Sequence, residues 1–300
     1  MKSTPKSVQR LWSALGILLI VGMAAYVSFV ITGKYDALVS LFDKLGVTFF
    51  MLVSGTEVYF AYRARSLFEP TEEMHGTWTL VLLSAFCRLT GAVLTGVLSK
   101  PLPWNPLVAL GTFRPERAGA WHDLGIAASG PAAMALMAWG LMRVLFLNRR
   151  LGILGRLTTL DKSLIGAILA FTALQFIDIG GVLFGDRGRL SMIQSFMWLS
   201  DPFLALLLIQ AVSIRRSVLN MGHGLVARCW GMMALGVAFT SAGDAVMWAE
   251  THGFIPVAMQ PLEWFIWFFA VTAFASAPCY QVEAAREAHA GSYVVRSVRA

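Results

Sequence analysis

Charge is scarce in this chain. Asp, Glu, Lys and Arg make up 14% of its 300 residues, against about 25% in soluble domains, so a water-soluble protein of this composition would need an implausibly apolar surface. Cysteine is scarce too. Cys87, Cys229 and Cys279 form no CxxC pair, their odd count argues against a disulfide framework, and each falls in or beside an apolar run, as a small buried hydrophobe does. No lysine lies inside an apolar segment, which excludes a retinal Schiff base. The five histidines, His75, His122, His223, His252 and His289, fall in connections or the tail, so none is placed as a transmembrane haem ligand. The His-Glu-x-x-His, Gly-x-Ser-x-Gly and Walker phosphate-loop patterns are absent. The stretch Thr71–His75 mixes acids with a histidine but reads as a solvated loop. No cofactor, no metal site and no catalytic residue is therefore expected.

Apolar sequence is what the chain has. Hydrophobic residues are 57% of it, with a mean hydropathy of +0.66. A membrane-spanning helix needs about 20 mainly apolar residues, and eight segments qualify: 11–33, 45–64, 77–99, 125–147, 163–184, 191–213, 226–249 and 259–280. The expectation is an all-α, polytopic transmembrane helix bundle of about eight spans, forming one integral membrane domain over 1–300 with a tail at 281–300. The first segment is longer than a signal-peptide core of about 7–15 residues and lacks a small-residue cleavage site, so it is read as a retained helix.

The net charge of +7 does not point to nucleic acid, because the basic residues sit in short clusters between apolar runs. With Arg88 and Arg143 set aside as embedded or span-terminal, fifteen Lys and Arg fall on the side of the N-terminus, the even-numbered connections and the C-terminus. Seven fall on the other side. The positive-inside rule then expects both termini in the cytoplasm, in a bacterial-type inner membrane. The longest outer connection, 100–122, carries Pro101, Pro103, Trp104, Pro106 and Trp121 and reads as a surface or re-entrant segment. The basic tail is expected to fray or to rest on the anionic inner leaflet.

The chain from Asp178 to Gln210 can be laid over Asp244 to Ser276 without gaps, at an offset of 66 residues. Asp178 then meets Asp244, and Trp198 meets Trp264. This suggests a helical-hairpin repeat, 163–213 and 226–280.

An ionisable group at the centre of a membrane helix costs about 2.5–3.5 kcal/mol on insertion scales, so such groups pair, face the bundle interior or line a wet cavity. Glu57 in span 2 and Arg88 in span 3 are similar in depth and are expected to form an intramembrane ion pair. Asp178, Asp201, Asp244 and Glu263, one in each of spans 5 to 8, lie towards the outer side and outnumber nearby bases. If they converge, they form an acidic ligand-binding cavity suited to a cation or proton. Alternatively, each bonds to a neighbour such as Trp198, Trp248, Trp264, Gln175 or Gln260 and holds helices together. Glu250 reads as interfacial.

The stretch from Cys229-Trp230-Gly231 through Ser241-Ala242-Gly243-Asp244, then Trp248, Pro261, Trp264 and Trp267, resembles the multi-pass sensory modules that precede bacterial diguanylate cyclases. The resemblance covers about 160–280 and implies a membrane-embedded input with Asp178 and Asp244 at corresponding places. No Gly-Gly-Asp-Glu-Phe output domain follows, so output would run through a separate membrane or signalling protein. A second stretch is similar to the site-2 proteases, the intramembrane zinc metallopeptidases. Cys87-Arg88-Leu89-Thr90-Gly91 stands in the place of their His-Glu-x-x-His. Ala128–Ala133 resembles their Ala-Gly-Pro segment, and Leu174-Gln175-Phe176 to Gly185-Asp186-Arg187 their Asp-Gly region. Both histidine ligands and the glutamate base are replaced, so this resemblance implies a catalytically dead binding scaffold. The leading expectation is a non-enzymatic inner-membrane protein that senses or supports a complex, in contact with the lipid bilayer and a protein partner and not with nucleic acid. The alternatives are a small-solute or proton-coupled transporter and the dead scaffold.

Overall fold

Backbone N–H and C=O groups have no water to bond in hydrocarbon, so a chain this apolar must satisfy them within helices. The computed structural model of the chain describes residues 4–33, 45–94, 120–184, 200–220, 224–255 and 261–297. Among the described residues there are eight long helices and no strand: α1 (Lys6–Thr32), α2 (Val47–Arg65), α3 (Glu73–Val93), α4 (Ala120–Arg150), α5 (Thr159–Phe184), α6 (Asp201–Asn220), α7 (Leu225–Thr251) and α8 (Pro261–Ser297). Seven of them are long and apolar enough to cross a membrane. The remaining one, α2, has 19 residues but includes Glu57, Arg63 and Arg65.

Two expectations are corrected. The sixth segment was expected to end at 213. Helix α6 instead continues to Asn220, because Arg216 is held by an acid of the neighbouring helix. Residues 191–199, with Trp198, lie outside the described residues, as does most of the 100–122 connection. The tail was expected to fray, but α8 runs on as helix to Ser297. Its continuation Gln281-Val282-Glu283-Ala284-Ala285-Arg286-Glu287-Ala288 is built of good helix formers with no glycine or proline.

Six helices close a ring: α2 packs on α3, α3 on α4, α4 on α6, α6 on α7, α7 on α8, and α8 back on α2. Helix α1 lies outside against α8, and α5 outside against α6. Burial follows this plan. Most residues in the spanning part of α8 are buried, whereas few of those in α1 and α5 are, so these two turn most of their surface outward from the bundle. The indoles of Trp78 (α3) and Trp230 (α7), from opposite sides of the ring, meet in its middle with centroids 6.3 Å apart. Gly236 lets α7 approach α8, since a Cβ there would stand 2.9 Å from the Phe274 ring.

One end of the bundle is rich in bases. There the C-terminal part of α6 meets the first turn of α5 through a two-pronged ion pair: Arg216 Nε to Asp161 Oδ2 at 2.8 Å, and Nη2 to Oδ1 at 2.9 Å. Asp161 also accepts the Thr158 backbone N–H at 2.8 Å and hydroxyl at 2.7 Å. The Gly155 N–H donates to Ser217 Oγ at 3.0 Å, and a Cβ on Gly155 would collide with the Arg216 backbone. The α4–α5 connection is thereby clamped onto α6. Because Arg216 is partly exposed, Arg216→Ala is expected to lower stability by only about 1 kcal/mol, read as a small drop in melting temperature in detergent.

Candidate functional site

The acids gather at the end of the bundle opposite these bases. Two of them have a local reason to be there. Asp201 opens α6 directly before Pro202, and Glu263 lies in the first turn of α8 after Pro261. Proline in the first turn and an acid near the positive end of the helix dipole both favour a helix start. Asp244 has no such reason, since it sits inside α7 seven residues before its end.

Asp201 faces Asp244 of α7 and Gln175 of α5, and its Oδ1 takes a long contact of 3.3 Å from Ser200. Asp244 in turn faces Glu263, which lies beside Trp267 and Glu250. Gly243 makes room for this arrangement: a Cβ there would stand 2.5 Å from Trp267 Nε1. All four polar centres are buried: Gln175 is 1% exposed, Asp201 3%, Asp244 5% and Glu263 2%. Asp201 Oδ2, Asp244 Oδ2, Glu263 Oε2, Ser241 Oγ and both amide atoms of Gln175 lack a hydrogen bond of good geometry. No Lys or Arg among the described residues forms an ion pair with any of these acids. Such orphaned polar atoms are rare in a finished interior. Facing carboxyls with unsatisfied oxygens and no base beside them are what a proton or a small monovalent cation would complete.

Asp178 has its own partners. It lies one turn beyond Gln175 on α5 and accepts the Trp248 indole N–H at 2.5 Å. His252, just past α7, brings Nε2 to 3.2 Å from the same Asp178 oxygen, while its Nδ1 stands 2.9 Å from the Trp248 carbonyl. The imidazole stacks over Trp248 with centroids 4.4 Å apart and lies against Phe254. Asp178 thus belongs to a half-open rim, and Asp201, Asp244 and Glu263 to a closed cluster beneath it, not to an open water-lined basin. Asp178 and Trp248 are one of the alternative pairings that the sequence allowed. His252 was overlooked, since a histidine in a connection carries no signal without its neighbours.

Glu57 and Arg88 meet as expected. Arg88 Nη2 and Nε grip the two Glu57 oxygens, Nε at 3.2 Å. Nη1 donates to Ser84 Oγ at 2.8 Å, and Ser84 donates onward to the Ala133 carbonyl of α4 at 2.7 Å. The guanidinium lies 4.8 Å above the Phe274 ring of α8. Glu57 is fully buried. One cation therefore joins α2, α3, α4 and α8, and its polar atoms are well used. This is the geometry of a structural tie between helices, with little capacity left for a ligand.

The fold and these two polar groups define the chain as a polytopic α-helical membrane protein with a buried acidic cluster at one end of the bundle. Comparison with protein-family models, with curated proteins and with solved structures finds no match in any of the three.

Proposed function

We propose that this chain is a non-enzymatic sensory protein of a bacterial-type inner membrane, whose input is occupation of the Asp201–Asp244–Glu263 cluster by a proton or cation. The observation that carries the reading is the pair Asp201 and Asp244, buried face to face with Glu263 alongside and no basic partner among the described residues. Two unit charges about 4 Å apart repel by roughly 4 kcal/mol at an effective dielectric constant of 20. A shared proton or a bound cation removes that repulsion. Because the acids sit on α6, α7 and α8, occupation changes the force between these helices and so biases their packing. The excess of Lys and Arg at the opposite end supports cytoplasmic termini and an outward-facing cluster. Output passes to a separate membrane or signalling protein.

Transport is the second reading. It needs discontinuous helices and access from both sides. The candidate break points do not favour it: α5 runs through Gly180-Gly181 to Phe184, and Pro202 sits in the first turn of α6 rather than inside it.

The test is infrared difference spectroscopy of the full chain in nanodiscs across a pH step. The expected result is a carboxyl band that responds to pH in the native protein and is reduced by at least half in Asp244→Asn and Asp201→Asn. A spectrum without such a band would defeat the reading. Pyranine-loaded proteoliposomes separate the two classes, since sustained proton or sodium flux would replace sensing by transport.

A further inference from the structure

Burial falls off along one path. Gln175, Asp201, Asp244 and Glu263 are almost fully buried, yet Asp178, on the same face of α5 one turn beyond Gln175, has a quarter of its side chain exposed, and His252 about an eighth. A carboxylate and a histidine therefore stand at the more exposed edge of a closed acidic cluster.

The geometry of this pair bears on proton handling. His252 Nδ1 stands 2.9 Å from the Trp248 carbonyl, so a proton on that nitrogen is donated there. Nε2 then faces an Asp178 oxygen at 3.2 Å, and this contact becomes a hydrogen bond only when a second proton lies between the two. Trp248, through its indole N–H, holds the same carboxyl oxygen. Beneath the pair, Gln175 lies against Asp201 with neither amide atom in a well-formed hydrogen bond, and it is 99% buried by its 1% exposure. An amide in this place can orient the carboxyls beside it, donating to a carboxylate and accepting from a protonated carboxyl, without itself carrying the proton. The ionisable groups facing the path among the described residues are Asp178 on α5, Asp201 on α6, Asp244 and Glu250 on α7, Glu263 on α8, and His252. No group of three Asp, Glu, His or Cys among the described residues is arranged to hold a metal ion. That favours the proton over a multivalent cation as the occupant.

We infer that Asp178 and His252 form the proton-uptake pair for the buried cluster, delivering protons to the facing carboxyls of Asp201 and Asp244, with Gln175 as a polar spacer that carries no proton itself. This rests on the reading of the cluster as the input site and adds its ligand, the proton, and the pair through which it enters. In each transfer a proton leaves water for His252 or Asp178 and moves on to a cluster carboxylate, so one positive charge enters per event and no redox partner is involved.

The experiment is a rapid pH jump on the full chain in nanodiscs, followed by time-resolved infrared absorption of the cluster carboxyls. The expected result is a native-like final amplitude but at least tenfold slower protonation in His252→Gln and in Asp178→Asn. Millimolar imidazole is expected to restore the rate in His252→Ala, an outcome that a merely structural role for the ring would not produce. His252→Gln keeps the test open if Asp178→Asn fails to fold. Native rates in His252→Gln, or in a folded Asp178→Asn, would overturn the uptake route and leave the cluster reading standing. Absence of any carboxyl response in the native chain would overturn both.

Discussion

Arg88→Leu is expected to lower stability by about 3–5 kcal/mol, because removing one member of a buried ion pair leaves the other charge uncompensated. Glu57 is wholly buried and its two oxygens rest on Arg88. The same substitution strips Ser84 of its contact with Nη1 and the Phe274 ring of its cation. Replacing both members, Glu57→Leu with Arg88→Leu, should recover most of the loss, since two leucines are at home in hydrocarbon and leave no orphan. Thermal unfolding in detergent, run as a double-mutant cycle, measures this. A double variant as unstable as either single one would mean that the loss comes from the missing pair itself and not from an orphaned charge.

Phe274→Ala is expected to cost about 3–5 kcal/mol, the usual range for emptying a large aromatic from a packed interior. The ring is 2% exposed, lies under Arg88, and fills the gap that Gly236 leaves between α7 and α8. Phe274→Leu separates the two contributions. It keeps most of the volume and gives up the cation–ring attraction, worth about 0.5–2 kcal/mol. Its melting temperature should therefore fall well short of the alanine drop. Equal losses in the two variants would put the whole effect in the cation contact and none in packing.

The order and type of the helices could be read in the chain because the signal for a membrane span is a local sum over about 20 residues. Seven helices stand out in this way, and their bounds agree to within a few residues wherever apolar runs end at charges. The errors have specific causes. Helix α6 continues past the apolar run because Asp161, 55 residues earlier, holds Arg216, a long-range pairing that no window reveals. The tail stays helical by the propensity of its own residues. Helix α2 shows the converse, since Glu57 and two arginines lower its apolarity although it is an inner member of the ring.

The Glu57–Arg88 pair was legible because opposite charges of equal depth on successive helices have few other partners. The acids were legible only as a set. Apolar patterning says which face of a helix is buried, but not which other helix it meets. The offset of 66 residues carries Thr159, the start of α5, onto Leu225, the start of α7. Yet α7 belongs to the ring and α5 lies outside it. Asp178 and Asp244, matched in sequence, thus have different surroundings, a partly exposed rim and a closed interior.

By itself the sequence determined an all-helical membrane bundle, with bases gathered at one end and acids at the other, because insertion and orientation depend on local composition. Only the tertiary structure decided that the ring closes through α8 onto α2, that Arg88 joins four helices, and that three of the four acids share one buried site while Asp178 pairs with His252. Those facts depend on which helix faces join, and that is set by side-chain fit between segments far apart in the chain.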